Sequence, residues 1–111
     1  MHDPDVLITL AAEMEKPMET FLKWRVVCDR YERGKNSKLA ECIAKSEGGS
    51  FAARESAALS SQEYRSYLTE WNDAEESKVK AQVKYETLKC KLEAYQSYFA
   101  YQRESMRHLG G

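Results

Sequence analysis

The sequence predicts an all-α fold, a long antiparallel helical hairpin, and three observations support this prediction. The 111 residues include only five glycines and two prolines, while 32% are charged, a composition that favours helix over sheet. Residues 61–108 contain neither glycine nor proline. Apolar and aromatic residues recur at alternating spacings of three and four, as in a coiled coil. We expect one helical-hairpin domain over residues 1–111 that assembles into a multi-helix bundle.

The first arm is predicted over residues 4–46. Asp3 followed by Pro4 is typical of a helix start, because aspartate caps free N–H groups and proline suits the first helical position. Pro17 should kink the helix or restart it, which leaves open whether the arm is one helix or two. Gly34 costs about 1 kcal/mol relative to alanine. The predicted seam of this arm is Leu7, Leu10, Met14, Pro17, Phe21, Trp24, Cys28, Tyr31, Lys35, Lys38 and Cys42.

The connector is predicted over residues 47–60 and the long helix over residues 61–108. "EGGS" ends the first arm, and residues 51–59 form a helical turn or a short linking helix. Ser60 and Glu63 have the spacing of a capping box. The long helix would measure about 70 Å, so it needs a coiled-coil-like seam. The series is Tyr64, Tyr67, Trp71, Ala74, Lys78, Ala81, Tyr85, Leu88, Leu92, Tyr95, Phe99, Gln102 and Met106.

The two arms are expected to fold back on each other. If the turn centres near residue 54, Phe21 lies near Leu88 and Leu7 near Tyr101. Residues 23–45 carry seven basic and three acidic side chains, whereas residues 62–77 carry one basic and five acidic. The hairpin would lay these opposite charges along each other, which supports the register more than the stability.

A second apolar stripe runs along the long helix, nearly opposite Leu92 and Phe99. At 100° per residue its members fall within about 60° of one another, and Tyr98 lies between the two faces. The stripe is either a wider core face or is covered by the linking helix, another copy of the chain, or a different protein. We favour a homodimer or higher homo-oligomer, because an isolated hairpin buries little surface. The predicted contact residues are Val79, Val83, Cys90, Ala94, Tyr98 and Tyr101.

Features of catalysis are absent from the sequence. His2 and His108 have no cysteine or carboxylate at metal-site spacing. Cys28 and Cys42 fall on the seam, where buried thiols are expected. The sequence has no phosphate-binding loop, dinucleotide fingerprint, zinc-protease motif or nucleophile elbow. We therefore expect no enzymatic activity, no cofactor and no metal.

One helix face suggests a different ligand. Lys80, Lys84 and Lys91 share it, with Tyr95 and Tyr98 beside its continuation. A row of lysines that can contact the phosphates, beside aromatic rings on which the bases can stack, is typical of proteins that bind single-stranded nucleic acid. The alternative is that the lysine stems merely cover apolar surface beside the seam. The net charge of −1 argues against a dedicated nucleic-acid binder, so this function is the runner-up.

The expected location is the cytoplasm. No apolar run approaches the roughly 18 residues of a membrane span, so no membrane association is expected. "VLITLAA" at residues 6–12 is too short for a signal peptide and follows acidic residues. Three cysteines, an odd number, do not make a disulfide framework.

The stretch "ARESAALSSQEYRSYLTEWNDAEE…LKCKLEAYQSYFAYQRESMR", within residues 53–107, resembles a group of small helical phage and prophage proteins. Some of these are encoded beside recombination genes, which implies an accessory role in the host cytoplasm. Tyr98 and Phe99 stand where that pattern has a tryptophan next to arginine, and the resemblance assigns no functional residue. The matching positions are Ala58, Leu59, Ser61, Glu63, Tyr64, Ala74, Glu75, Leu88, Leu92, Glu93, Phe99, Arg103 and Arg107.

These observations together predict a non-enzymatic, self-associating interaction or adaptor protein of phage origin. It would act through protein–protein contacts with an unidentified partner, such as recombination or replication machinery. The alternative is a single-stranded nucleic-acid-binding accessory protein that uses Lys80, Lys84, Lys91 and Tyr98. A virion structural or assembly protein is the third hypothesis.

Overall fold

The computed structural model describes residues 5–110, and every element in that part of the chain is an α-helix. Helix α1 spans Asp5–Lys45, α2 spans Phe51–Leu59 and α3 spans Gln62–Gly110. The predicted all-α helical hairpin is confirmed. Its long helices begin and end within one or two residues of the expected positions. The helix start expected at Asp3 and Pro4 lies outside the described residues.

Helix α1 runs through Pro17 without restarting. Proline lacks an N–H, so the carbonyl of Glu13 loses its usual partner one turn earlier. The Pro17 side chain is buried, as its place in the predicted seam requires. The first arm is therefore one helix.

Two consecutive serines lie at the boundary between α2 and α3, where one ends the first helix and the other caps the second. Ser60 ends α2, with its hydroxyl donating to the carbonyl of Ser56 at 2.8 Å and its backbone N–H bonding the same carbonyl. Ser61 begins α3, because its hydroxyl oxygen accepts from the N–H of Tyr64 at 3.2 Å. The predicted capping box of Ser60 and Glu63 is therefore wrong by one residue: the end of α2 already occupies Ser60.

The chain divides into two compact units, and the first to be described comprises Leu22–Lys78. Its core is a cluster of Cys42, Ala58 and Tyr64, with Leu39 and Ile43 packed against it. Each of the three helices contributes at least one of these residues. The short helix α2 thus closes the core of this unit through Ala58, which is fully buried.

Polar contacts join α1 to α3 within this unit. Glu63 accepts from Lys38 at 2.8 Å and from Lys45 at 3.1 Å. The hydroxyl of Tyr31 donates to Glu70 at 3.2 Å. The expected pairing of a basic segment with an acidic one is present. Lys45–Glu63 has the register of a turn centred at residue 54, whereas Lys38–Glu63 and Tyr31–Glu70 lie seven positions earlier in α3 and are centred near residue 50.

The second unit comprises Met1–Phe21 and Val79–Gly111. Leu10, Pro17 and Ala81 are its buried residues among those described. Leu7 lines a cavity of about 310 Å³ with Phe99, Met106 and three polar neighbours, which agrees to within one turn with the expected position of Leu7 opposite Tyr101.

Candidate interaction surface

The six predicted contact residues all lie on α3, within the unit that contains Val79–Gly111. Every one of them is exposed, and the exposed fraction reaches 56% at Val83 and 72% at Tyr101. Leu92 and Phe99, on the opposite face of the helix, are partly buried. The two faces predicted by helical rotation therefore differ in burial, and the second face carries part of the apolar surface that the fold leaves exposed. We call this face the outer stripe, consisting of Val79, Val83, Cys90, Ala94 and Tyr101.

Two further residues belong beside the outer stripe but were missed by the sequence analysis. Thr87 and Ser97 are exposed and lie at heptad spacing between stripe members. The hydroxyl of Thr87 donates to the carbonyl of Val83 at 2.8 Å. Because that hydroxyl is bonded within its own helix, Thr87 presents mainly its methyl group to a neighbour. The alternation of four- and three-residue spacings would have identified both positions.

Tyr98 lies at the edge of the outer stripe and contacts the next residue and a residue one turn away. The amide of Gln102 donates to its hydroxyl at 2.9 Å, and its ring meets that of Phe99 edge to face at 5.6 Å. Together with Lys91, Ala94 and Tyr95 it lines an open cavity of about 340 Å³. Tyr98 is therefore a preorganised ring at the rim of a shallow depression.

The lysine face of the runner-up hypothesis is also present on α3. Lys80, Lys84 and Lys91 are exposed, and Lys91 reaches the depression beside Tyr98. The structure brings Lys91 and Tyr98 together at one depression, whereas Lys80 and Lys84 lie outside its lining.

A second cavity, of about 480 Å³, lies in the unit Leu22–Lys78. Gly34 and Tyr67 contribute to its lining, and the hydroxyl of Tyr67 donates to the carbonyl of Tyr31. A methyl group placed on Gly34 would lie 3.0 Å from that hydroxyl oxygen. From the sequence, Gly34 is expected only to weaken the helix, whereas in the structure it leaves room for the side chain of Tyr67 from α3.

Electrostatic effects on titratable groups are also concentrated in this unit. Hydrogen bonds from Lys38 and then Lys45 lower the pKa of the Glu63 carboxyl group. Burial raises the pKa of the Cys28 thiol, and the nearby carboxylate of Glu75 raises it further. A thiol that is 3% exposed and has a raised pKa forms little thiolate, so Cys28 is a packing residue, as expected from its place on the seam.

The described part of the chain contains no set of side chains that could bind a metal ion. Among residues 5–110 no group of three or more histidine, cysteine, aspartate or glutamate side chains is placed to hold an ion. His108 instead lies 3.3 Å from Glu104 on its own helix, and His2 falls outside the described residues.

None of the helices in residues 5–110 combines the length and the apolar character that crossing a bilayer requires. Comparison with known proteins adds no relative, because the chain matches no family model, no curated protein and no solved structure.

Proposed function

We propose that this chain is a non-enzymatic helical adaptor protein that self-associates and binds partner proteins through the outer stripe of α3. The observation that carries the proposal is the exposure of large apolar side chains, Val79, Val83 and Tyr101, on the helix face turned away from the seam. Contiguous apolar surface of this kind marks interaction sites on proteins in water.

The physical gain from covering the outer stripe is substantial. Burying one side chain of the size of valine is worth about 1.5–3 kcal/mol relative to leaving it in water. The small residues between the large ones, Cys90 and Ala94, let a partner helix approach closely. An exposed helix face with these properties suits a helix packed alongside it, the arrangement of coiled coils and helix bundles.

The biological setting follows the resemblance of residues 53–107 to phage and prophage proteins. We place the adaptor in the cytoplasm of a host cell, as an accessory of recombination or replication machinery. A structural role in virion assembly uses the same surface with a different partner.

Sedimentation equilibrium from micromolar to near-millimolar loading concentrations tests self-association. We expect a mass above the 12.8 kDa of one chain at the upper end of that range. Val83→Glu should weaken the association at least about tenfold, because it places a charge in the interface of each copy. Gln82→Glu is the matched control, since it adds the same charge at an exposed neighbouring position on a different helix face. A monomer at every concentration would contradict self-association.

A second candidate function is the binding of single-stranded nucleic acid, and the depression lined by Lys91, Tyr95 and Tyr98 favours it. An aromatic ring beside a cation offers stacking for a base and a contact for a phosphate. Fluorescence anisotropy with a labelled oligonucleotide at low salt is the test. Replacing Lys84 and Lys91 by alanine should reduce the salt dependence by the equivalent of about two phosphate contacts, while Lys89→Ala should change it less. No binding at low salt would exclude this function.

A further inference from the structure

A heptad series combines four residues of the outer stripe with the neighbouring Thr87 and Ser97. Its spacings alternate between four and three, and its two ends carry the apolar side chains of Val83 and Tyr101, while the four central positions carry smaller or more polar ones. All six are exposed. In chain order the outer heptad series is Val83, Thr87, Cys90, Ala94, Ser97 and Tyr101.

The series reads the same in both directions when it is centred on residue 92. A second copy that runs antiparallel about that centre would place Val83 against Tyr101 of the other copy, and Cys90 against Ala94. Val83 and Tyr101 then pack against each other at the two ends, and the small side chains of Cys90 and Ala94 meet in the middle. A two-fold axis at residue 92 makes each of these contacts occur twice, as an isologous interface requires.

Charged residues extend the same symmetry by one position at each end. Lys80 precedes Val83 by three residues and Glu104 follows Tyr101 by three, so both continue the heptad spacing. They are equally far from residue 92 and carry opposite charges. Within one chain Glu104 lies 3.7 Å from Arg107 and 3.3 Å from His108, and the Glu104 side chain is 56% exposed, so it remains accessible to a further cation.

We infer that the outer stripe pairs with the outer stripe of a second copy in antiparallel orientation, centred on residue 92, with Lys80 of each copy against Glu104 of the other. This inference rests on the proposed self-association and specifies its partner and direction. Charge complementarity and the size pattern select a second copy of this chain as the occupant of the stripe.

The parallel, in-register alternative is disfavoured by the charges at the ends of the series. It would place Lys80 against Lys80 and Glu104 against Glu104 at positions that face each other directly. In the parallel arrangement Glu86 of one copy could pair with Lys91 of the other beside the interface. This pair is exposed to solvent and contributes little, so it does not offset the repulsion at the ends. The antiparallel pairing brings the two Lys91 side chains together on one flank and the two Glu93 side chains together on the other. Both are exposed positions, where each repulsion costs little. The helix dipoles also oppose each other only in the antiparallel arrangement.

A charge-reversal cycle tests the orientation by sedimentation equilibrium. Lys80→Glu and Glu104→Lys should each weaken the dimer about three- to tenfold, because two exposed pairs are lost and replaced by repulsion. The double variant K80E/E104K should recover the original dimer affinity to within about twofold, since the pairs are rebuilt with reversed polarity. Lys89→Glu, at an exposed position off the stripe, is the control and should change the affinity little. A double variant that dissociates more readily than either single variant would overturn the antiparallel inference.

Cross-linking provides a second readout that does not depend on charge. Cys90 is exposed whereas Cys28 and Cys42 are buried, so an added oxidant acts on a single thiol per native chain. The chain is mixed with the variant C90A/A94C and treated with diamide. Antiparallel pairing predicts a mixed disulfide between Cys90 of one chain and the new thiol of the other. Predominant Cys90–Cys90 products would overturn the inferred orientation.

The two levels of inference fail in different ways. If the unmodified chain is a monomer throughout, the proposed self-association and the antiparallel pairing are both rejected. If it dimerises but the charge cycle shows no recovery and the like thiols cross-link, the pairing alone is rejected and the adaptor function stands.

Discussion

The two compact units of the chain differ in what they do with their side chains. The unit Leu22–Lys78 contains five of the eight residues that are buried in the described part of the chain, and the interhelical ion pairs of Glu63. The unit of Met1–Phe21 and Val79–Gly111 contains the other three buried residues, while Val83 and Tyr101 lie exposed on its long helix. The unit Leu22–Lys78 also exposes large apolar side chains, among them Val26 and Phe51, so the units differ mainly in how many side chains they bury. The difference teaches that burial can be distributed unevenly along a single pair of helices.

The largest expected effect comes from truncating a core aromatic ring and its exposed counterpart. Tyr64, in the unit Leu22–Lys78, is 3% exposed, so Tyr64→Ala should lower the free energy of unfolding by about 3–5 kcal/mol through the cavity that it leaves. Tyr101→Ala removes the same ring from the outer stripe and should change the stability of the monomer by at most about 0.5 kcal/mol.

Urea unfolding at a concentration where the chain is monomeric measures both values. Equal losses for the two variants would show that the outer stripe is part of the core, and the contrast between the units would fail.

An intermediate effect is expected at Gly34, where α1 makes room for Tyr67. Gly34→Ala should lower the free energy of unfolding by about 0.5–1 kcal/mol, because displacing the Tyr67 hydroxyl weakens its bond to the carbonyl of Tyr31 and outweighs the better helix propensity of alanine. In a Tyr67→Phe background the same substitution should instead stabilise the chain by about 0.5–1 kcal/mol.

This reversal of sign is the test, again by urea unfolding. If Gly34→Ala stabilises the unmodified chain as much as it does the phenylalanine variant, the close approach of Tyr67 to α1 is not a constraint.

The smallest effect is expected from the ion pairs of Glu63. Its pKa is lowered in the folded state by Lys38 and Lys45, so its contribution to stability is present above the carboxyl pKa of the unfolded chain. That contribution is lost as the pH falls through the lower pKa of the folded state. Glu63→Gln should therefore reduce stability near neutral pH and flatten the dependence on pH in the acidic range, by a small amount because the pairs are partly exposed.

Melting temperatures of the two proteins between neutral and acidic pH provide the measurement. Glu32→Gln is the control, since Glu32 is an exposed carboxylate of the same unit. Parallel curves for the unmodified chain and Glu63→Gln would argue against the ion pairs as the cause.

Periodicity predicts most of this fold because burial follows it directly. The positions of the long-helix seam from Tyr64 to Phe99 are all buried or partly buried, and the opposite face is exposed. The same periodicity identifies the outer stripe, whose role as a contact surface remains a prediction. Local capping chemistry was harder to predict: Ser60 and Ser61 are equally good caps in sequence, and only the end of α2 decides between them.

Features that depend on alignment between helices were not predictable from one sequence. The placement of Tyr67 over Gly34 requires the register of α3 against α1, and that register differs by about seven residues from the one expected. A heptad seam tolerates such a shift, because moving one helix by seven residues brings equivalent positions back into contact. The packing of Ala58 against Cys42 and Tyr64 is a further contact that no periodic pattern encodes.

The position of the Cys42, Ala58 and Tyr64 cluster close to the turn has a kinetic consequence. Cys42 and Tyr64 are about 22 residues apart along the chain, whereas Leu7 and Phe99, which line one cavity, are about 92 apart. Closing the longer loop from an unfolded chain costs about 1.3 kcal/mol more in entropy. We therefore expect the nucleus of folding at the turn, and the helix ends that carry the outer stripe to pair last. A chain emerging from synthesis would complete its recognition surface only after its core had formed.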